Sequence, residues 1–388
     1  MFFKRVTIFH FFGFPIRADL SWLFLSALIF WTLATNTYPR QIPGLGLETY
    51  QLMAVATLLG LIASIIAHEV AHAIIAEYYN MPIESITLFI FGGVAEMRGE
   101  PSHPKGEFLM ALAGPTMSAL FGLFFMALEQ LYEMYIGTQD AVSWVLAYLG
   151  MINLLIAGFN MLPAFPLDGG RALRALIWQR KKNLVLATRI ASDLGAMLAY
   201  AMLAYACWQI VKHDDVVAGM WTGILGLFLH AAGSYAVRQT ESRSLLGRET
   251  VARFLHNQLV GVSPDLTINA LVDQYVYRHY QKVFPVVEHG KLRGIVTLQT
   301  LLSLDRHKWH WLHVASIMER PSEENTVPRD FNAADALDLM QRTGREMLLV
   351  ADGEEFLGAV SFRDLVAFLS ITMKIDHNKP VLVSRRVD

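Results

Sequence analysis

Long apolar runs dominate the first 237 residues of the chain. Six of them reach the roughly 20 residues that a helix needs to cross a bilayer core. They cover about 19–37, 52–79, 107–131, 143–163, 184–211 and 217–236. The pattern predicts six transmembrane helices. The first 17 residues have neither the apolar length nor the small-residue cleavage site of a signal peptide, so we expect them to remain attached.

A different pattern interrupts the helices at residues 83–99. β-Branched and aromatic residues flank Gly92 and Gly93 in this stretch, which is typical of a short β-hairpin. The predicted membrane domain is therefore helical, with a small membrane-associated hairpin or sheet.

After Arg248 the chain repeats itself at an offset of about 64–65 residues. The segment that begins at Val262 corresponds to the one that begins at Val327, and the segment at Phe284 corresponds to that at Met347. Each unit has the order β-α-β-β-α and ends in an amphipathic helix. We divide the chain into a membrane domain (1–237), a linker (238–250), two soluble α/β repeats (251–308 and 309–375) and a tail (376–388).

Composition agrees with this division. Hydrophobic residues make up 54% of the chain and charged residues 17%, which excludes a disordered or collagenous protein. Only 28 charged residues precede Arg238, whereas 38 follow Val237. The balance of 32 basic against 34 acidic residues gives no reason to expect nucleic acid as a partner, and the single cysteine, Cys207, excludes an intramolecular disulfide.

Basic residues collect at alternate ends of the predicted helices. Four groups fall on one face of the membrane: Lys4, Arg5 and Arg17; Arg98 and Lys105; Arg171, Arg174, Arg180, Lys181 and Lys182; Arg238, Arg243 and Arg248. The opposite connections carry only Arg40 and Lys212. Because cytoplasmic loops accumulate Lys and Arg, we expect both termini in the cytoplasm and the protein in the cell membrane.

The second apolar run contains the sequence His-Glu-Val-Ala-His. A helix places His68 and His72 one turn apart on one face, so both imidazoles can reach one ion. This is the zinc-hydrolase pattern, in which Glu69 would act as general base. The alternative is an accidental pentapeptide with packed polar side chains. A charge inside hydrocarbon costs about 2.5–3.5 kcal/mol or more, so three ionisable groups there need a shared partner or cavity.

A third ligand should lie near the cytoplasmic end of another span, and Asp168 meets this expectation. Two prolines, Pro163 and Pro166, end the fourth apolar run, and the acid precedes a Gly-Gly pair. Irregular backbone at membrane depth requires protein or water around it, which favours a cavity. The other interpretation is a proline-glycine loop with a solvated carboxylate.

These motifs resemble those of the site-2 protease family of membrane-embedded zinc metalloproteases. The resemblance rests on two motifs, the intramembrane His-Glu-x-x-His and the distant Asn-x-x-Pro-x-x-x-Leu-Asp-Gly. Both match the motifs of the family in order and spacing. The segment from Gly114 to Ser118 is similar to the family's Gly-x-x-x-Asn/Ser/Gly signature. Together with residues before the first helix, the resemblance covers about residues 6–236.

The resemblance implies cleavage of a substrate's transmembrane helix within or near the bilayer. It implies one catalytic Zn²⁺ held by His68, His72 and Asp168, with Glu69 as catalytic base, and a role for Asn160 in orienting substrate or intermediate. The predicted hairpin is then a candidate substrate clamp, because an exposed strand edge can pair with an unwound segment. A hairpin with a purely structural role fits the same pattern.

The soluble repeats are similar to a tandem pair of cystathionine-β-synthase-type (CBS) domains, which often bind adenine nucleotides. In that family a Ser or Thr after the second strand contacts phosphate, and an Asp three residues later contacts ribose. Ser361 and Asp364 match this pattern, whereas the first repeat has Thr297 but Thr300 in place of the acid. ATP, ADP or AMP is therefore a candidate regulatory ligand. A pair that serves only homodimerisation or substrate docking fits equally well.

Two function classes follow. The favoured one is a zinc-dependent intramembrane endopeptidase that acts on single-span membrane proteins and is regulated through its CBS pair. The alternative is a non-proteolytic membrane sensor or transporter of metal or nucleotide. Glu69 discriminates between them, because a hydrolase requires it and a passive metal site does not.

Overall fold

A computed structural model describes residues 6–11, 14–81, 83–89, 92–97, 101, 103–137, 139–213, 216–256 and 259–377 of the chain. The predicted tail begins within the last described helix, and its residues 378–388 lie outside the described part. The chain divides into two compact units, Met1–Thr240 and Glu241–Asp388.

Six helical stretches among the described residues are long and apolar enough to cross a membrane, as predicted. The α-helices of this unit are α1 (Leu20–Thr32), α2 (Tyr38–Gln41), α3 (Leu47–Tyr78), α4 (Pro104–Ile136), α5 (Ala141–Asn160), α6 (Asp168–Lys181), α7 (Leu184–His213) and α8 (Val216–Leu246). The first of the six stretches comprises α1, a π-helical turn at Leu33–Thr37, and α2. Of these, α6 was not predicted; it replaces part of the loop expected after Asn160.

A four-stranded sheet accompanies the helices in the order β1-β2-β3-β4. Its strands are β1 (Val6–Phe11), β2 (Phe14–Ala18), β3 (Ile83–Phe89) and β4 (Gly92–Met97). The predicted hairpin is the antiparallel pair β3–β4, in which Phe89 is opposite Gly92. An unpredicted second hairpin, β1–β2, joins it through parallel pairing of β2 with β3. Strand β4 is left at the outer edge of the sheet.

The sheet packs against the part of α3 that carries the histidines. Phe14, Ile16 and Ile86 form a buried cluster with Val70 and Ala73 of α3. Asp19 connects sheet and membrane helices: its N–H donates to the carbonyl of Leu88 at 2.9 Å, and its carboxylate caps α1. The sheet is therefore fixed against α3 and against the start of α1.

The second unit contains a five-stranded sheet in the order β5-β6-β9-β8-β7. Its strands are β5 (Val283–Glu288), β6 (Lys291–Thr297), β7 (Thr326–Val327), β8 (Met347–Asp352) and β9 (Glu355–Ser361). Its α-helices are α9 (Ile268–Leu271), α10 (Tyr277–His279), α11 (Leu298–Leu302), α12 (Val314–Ile317), α13 (Ala333–Thr343) and α14 (Phe362–His377).

The two repeats have the same internal pairing. Val286 pairs with Gly294, and its counterpart Val350 pairs with Gly358, with a register shift after each. Val327 adds a parallel strand beside Val350, whereas the equivalent strand of the first repeat is a single parallel bridge from Val262 to Val286. Each repeat also has its own buried core.

Helix α8 extends further than the sequence pattern indicates. It runs without interruption to Leu246, so residues 238–246 of the predicted linker are helical. Arg243 on its last turns pairs with Asp335 at 3.0 Å and also contacts Asp338. Leu246 is fully buried in the core of the second repeat.

Candidate metal centre and catalytic site

His68 and His72 face each other one turn apart on α3. Their Nε2 atoms are 3.2 Å apart, and the two rings meet nearly edge to face. Both side chains are buried, with 6% and 3% of the residue surface exposed. The helical period thus brings two imidazole nitrogens to one point inside the membrane domain.

Asp168 completes this group of donors. Its Oδ2 lies 3.2 Å from Nε2 of His68 and 3.3 Å from Nε2 of His72. Asp168 is the first residue of α6, and the following glycines allow the helix to start close to the preceding loop. A Cβ on Gly169 would lie 2.3 Å from the carbonyl oxygen of Met161. This close approach explains why the acid is followed by glycine.

Helix α4 orients both imidazoles. Nδ1 of His72 donates to the carbonyl of Met110 at 2.6 Å, and Nδ1 of His68 lies 2.8 Å from Oγ of Ser118. A carbonyl oxygen only accepts, so the neutral His72 ring carries its proton on Nδ1 and directs the Nε2 lone pair towards the cluster. Ser118 is the last residue of the Gly-x-x-x-Ser signature.

The donor set fits a tetrahedral zinc ion. Zn–N bonds of about 2.0–2.1 Å separate neighbouring ligand atoms by about 3.3 Å, close to the spacing of the three donors here. Gly114 keeps the adjoining space open. A Cβ at this position would lie 2.3 Å from Nε2 of His72 and 2.5 Å from Nε2 of His68. These three donors would leave the fourth position for water or substrate.

Glu69 lies beside His68 and is 7% exposed. Gly93 of β4 passes directly over its side chain. A Cβ on Gly93 would be 2.5 Å from Cγ and 2.7 Å from Oε1 of Glu69. The hairpin and the carboxylate are therefore in contact, which the sequence suggested only indirectly. The other predicted glycine, Gly92, is the first residue of β4 and has a positive φ of 127°.

A buried ion pair beside the centre was not anticipated. Arg174 of α6 donates through Nε to Oε1 of Glu107 at 2.6 Å, and its guanidinium lies 4.9 Å from the Phe165 ring centroid. Glu107 is fully buried and Arg174 is 6% exposed. Arg174 was expected among the basic residues of a loop, and its burial in α6 corrects that expectation. In the sequence, the only local indication of this ion pair is one acid, Glu107, near the start of an apolar run.

The remaining predicted residues are not among these three donors. Asn160 is half-buried at the last position of α5, before the loop to Asp168. In the second unit, Thr297 caps α11 by accepting from the N–H of Thr300. Ser361 contacts Asp364 in the same relative position.

Comparison with known proteins decides the family. Residues 56–203 match the model of peptidase family M50, and residues 251–307 and 314–371 match that of the CBS domain. A protein named zinc metalloprotease Rip3, from Mycobacterium tuberculosis, is 30% identical over 366 residues, which is 92% of this chain and 91% of that protein. The chain belongs to peptidase family M50.

Two further M50-type comparisons extend over large parts of the chain. The zinc metalloprotease MJ0392 of Methanocaldococcus jannaschii is 28% identical over 94% of this chain and 96% of its own length. The solved structure of the site-2 protease from Methanocaldococcus jannaschii is 26% identical, with a TM-score of 0.42, and covers 60% of this chain and 94% of that one.

Family membership confirms the predicted enzyme class. The protein is a zinc metalloprotease of the M50 family with multiple apolar helices of membrane-spanning length, followed by two CBS domains. The predicted fold class is confirmed as well.

Proposed function

We propose that the protein is an endopeptidase that cuts single-span membrane proteins within or near their transmembrane segment. The observation that carries this proposal is the burial of His68, Glu69, His72 and Asp168 among helices that are long and apolar enough to span a bilayer. A peptide bond must reach them there to be hydrolysed.

His68, His72 and Asp168 would hold the zinc ion. When bound, zinc supplies Lewis acidity that activates water and polarises the scissile carbonyl. Glu69 takes a proton from the attacking water as its oxygen bonds to the carbonyl carbon. The same carboxyl then gives that proton to the amide nitrogen as the C–N bond breaks, so the base is regenerated.

Strand β4 is the proposed substrate clamp. It is one of the two outer strands of its sheet, and its Gly93 touches Glu69. An extended segment that pairs with this edge would run beside the catalytic carboxylate. Gly92, which begins this strand, and Asn160, at the end of α5, are proposed to help orient the bound substrate or intermediate.

Mapping of the cleavage site tests this function. The wild-type protein in liposomes, with a single-span substrate, should release fragments whose new termini fall within or next to the transmembrane segment. Mass spectrometry identifies those termini. Cuts only in distant soluble loops would contradict the proposal, because such loops do not need a site among membrane helices.

The CBS pair is proposed to bind an adenine nucleotide through Thr297, Ser361 and Asp364 and to regulate proteolysis, in a protein that dimerises through these domains. Asp364 already accepts from Nε2 of His256 at 2.8 Å. Ribose hydroxyls would replace His256 at this carboxylate. Calorimetry with ATP, ADP and AMP should then show that Asp364→Asn weakens binding at least about tenfold, whereas Asp352→Asn does not.

Nucleotide that binds without changing the rate of cleavage would refute regulation while leaving the binding site intact. Equal nucleotide affinity of Asp364→Asn and the wild type would refute the site itself.

The orientation with both termini in the cytoplasm of the cell remains part of the proposal. Support comes from the basic groups at alternate ends of the helices. Labelling of single cysteines on intact cells, introduced at residues 139 and 247 in a Cys207→Ser background, should modify only the first from outside.

A further inference from the structure

Helix α6 carries Asp168 at its first residue and adjacent cations at its other end. Arg180, Lys181 and Lys182 are exposed, and no carboxylate in the described part of the chain lies within ion-pair distance of them. The N–H of Lys182 donates to the carbonyl of Trp178 at 2.8 Å. This backbone hydrogen bond defines the end of the helix at its cationic residues.

Chain continuity puts these cations at a membrane surface. The membrane-spanning α7 begins at Leu184, two residues after Lys182. Leu176, on the preceding turn, is 43% exposed, and Trp178 is half-buried. Aromatic and basic side chains next to the end of a span are typical of the headgroup region of a bilayer.

We propose that Arg180, Lys181 and Lys182 bind the phosphate groups of anionic phospholipids in the surrounding bilayer, and that this contact holds α6 where Asp168 meets the two histidines. The charges are complementary, and each basic side chain near an anionic surface strengthens the attraction about fivefold. Only the expected effect of lipid on cleavage rests on the proposed protease function; the expected effect on zinc release does not.

Helix α6 is suited to transmit this contact. It has 14 residues, hence a length of about 20 Å, and contains no proline. Arg174 near its middle is held by Glu107 of α4. With the middle fixed, a displacement of the cationic end tilts the end that carries Asp168. Anionic lipid should therefore slow the loss of zinc as well as raise the rate of cleavage.

The test uses the full-length protein in nanodiscs of phosphatidylcholine alone or mixed with phosphatidylglycerol. We expect the wild type to cleave a single-span substrate about fivefold faster, and to release zinc to a chelator more slowly, in the anionic discs. The triple variant R180Q/K181Q/K182Q should behave in both discs as the wild type does in neutral ones. The matched control R329Q/R363Q/K374Q, which removes exposed cations of the second unit, should keep the lipid response.

Each possible outcome supports or contradicts the proposed lipid contact. An equal lipid response in the wild type and the α6 variant would overturn the proposal. Inorganic phosphate that restores the effect in neutral discs would show that the ligand is a free anion and not a lipid. If no substrate is cleaved in any disc, the proposed function fails, but zinc release still tests whether lipid holds α6.

Discussion

At the residue scale, the candidate metal centre depends on two glycines, which leave room because they have no side chain, as well as on its polar side chains. Gly114 leaves open the space next to the two imidazoles, and Gly93 lets β4 approach Glu69. Both are positions at which a single methyl group would occupy space that the chemistry requires.

Replacing Gly93 by alanine should lower kcat about 100-fold, because the new Cβ displaces the Glu69 carboxylate, and a shift of about 1 Å at a catalytic group has such an effect. Zinc content should stay at the wild-type level. Gly158→Ala is the control, since nothing lies within 4 Å of a Cβ there. Wild-type kcat in Gly93→Ala would contradict the contact between hairpin and base.

Replacing Glu107 by glutamine should destabilise the membrane domain by about 3–5 kcal/mol, because it leaves Arg174 buried without an anionic partner. Thermal unfolding in detergent measures the loss as a lower midpoint. The control is Glu354→Gln, which breaks an exposed pair with Lys291 and should leave the midpoint unchanged. Equal midpoints for the two variants would show that the buried pair contributes nothing.

The sequence predicted which polar side chains lie together at the candidate site, because their spacing is governed by local rules. His68, Glu69 and His72 follow from the helical period, and Asp168 from a break in an apolar run. The Glu107–Arg174 pair could not be found in this way. Its partners are 67 residues apart, and only the packing of α4 against α6 reveals that they meet.

At the scale of secondary-structure elements, α7 acts as a support for the loop that leads to Asp168. The N–H of Phe165 donates to the carbonyl of Ala191 at 3.1 Å. Gly195, one turn later, lies so close that a Cβ would be 2.1 Å from the carbonyl oxygen of Phe165. The third donor of the candidate site thus depends on a helix that contributes none of the three donors itself.

Gly195→Ala should therefore weaken zinc binding about tenfold, although its side chain would not touch the metal centre, because it pushes the loop away from α7. Competition with a fluorescent zinc chelator measures the affinity. Gly223→Ala in α8 is the matched control, where the added Cβ would make only an ordinary 3.6 Å contact. Unchanged zinc affinity in Gly195→Ala would mean that the loop holds its position without α7.

Elements were predicted well where their pattern is local and poorly where pairing is distant. The six apolar spans and the β3–β4 hairpin follow from periodicity and composition. Strands β1 and β2 did not, since β2 gains its partner β3 about 70 residues later in the chain. Helix α6 does not follow from the sequence pattern, because its opening Asp-Gly-Gly is typical of turns, whereas close packing on the preceding loop is what requires these glycines.

At the scale of the whole molecule, charge density and internal repetition predict an apolar, helical part followed by a part made of two repeats. The boundary between the two compact units lies at Thr240, within α8. The sequence pattern could not show that this helix continues to Leu246, because residues 238–244 are all polar and interrupt the apolar run.

The proposed function requires that zinc and Glu69 together hydrolyse peptide bonds inside a membrane. The most direct measurement is the zinc content and cleavage activity, in liposomes, of the wild type, Glu69→Gln and Asp168→Ala. We expect one zinc per chain and cleavage in the wild type, one zinc without cleavage in Glu69→Gln, and weakened zinc binding in Asp168→Ala. Undiminished cleavage by Glu69→Gln, or a wild-type protein that binds no zinc, would contradict it.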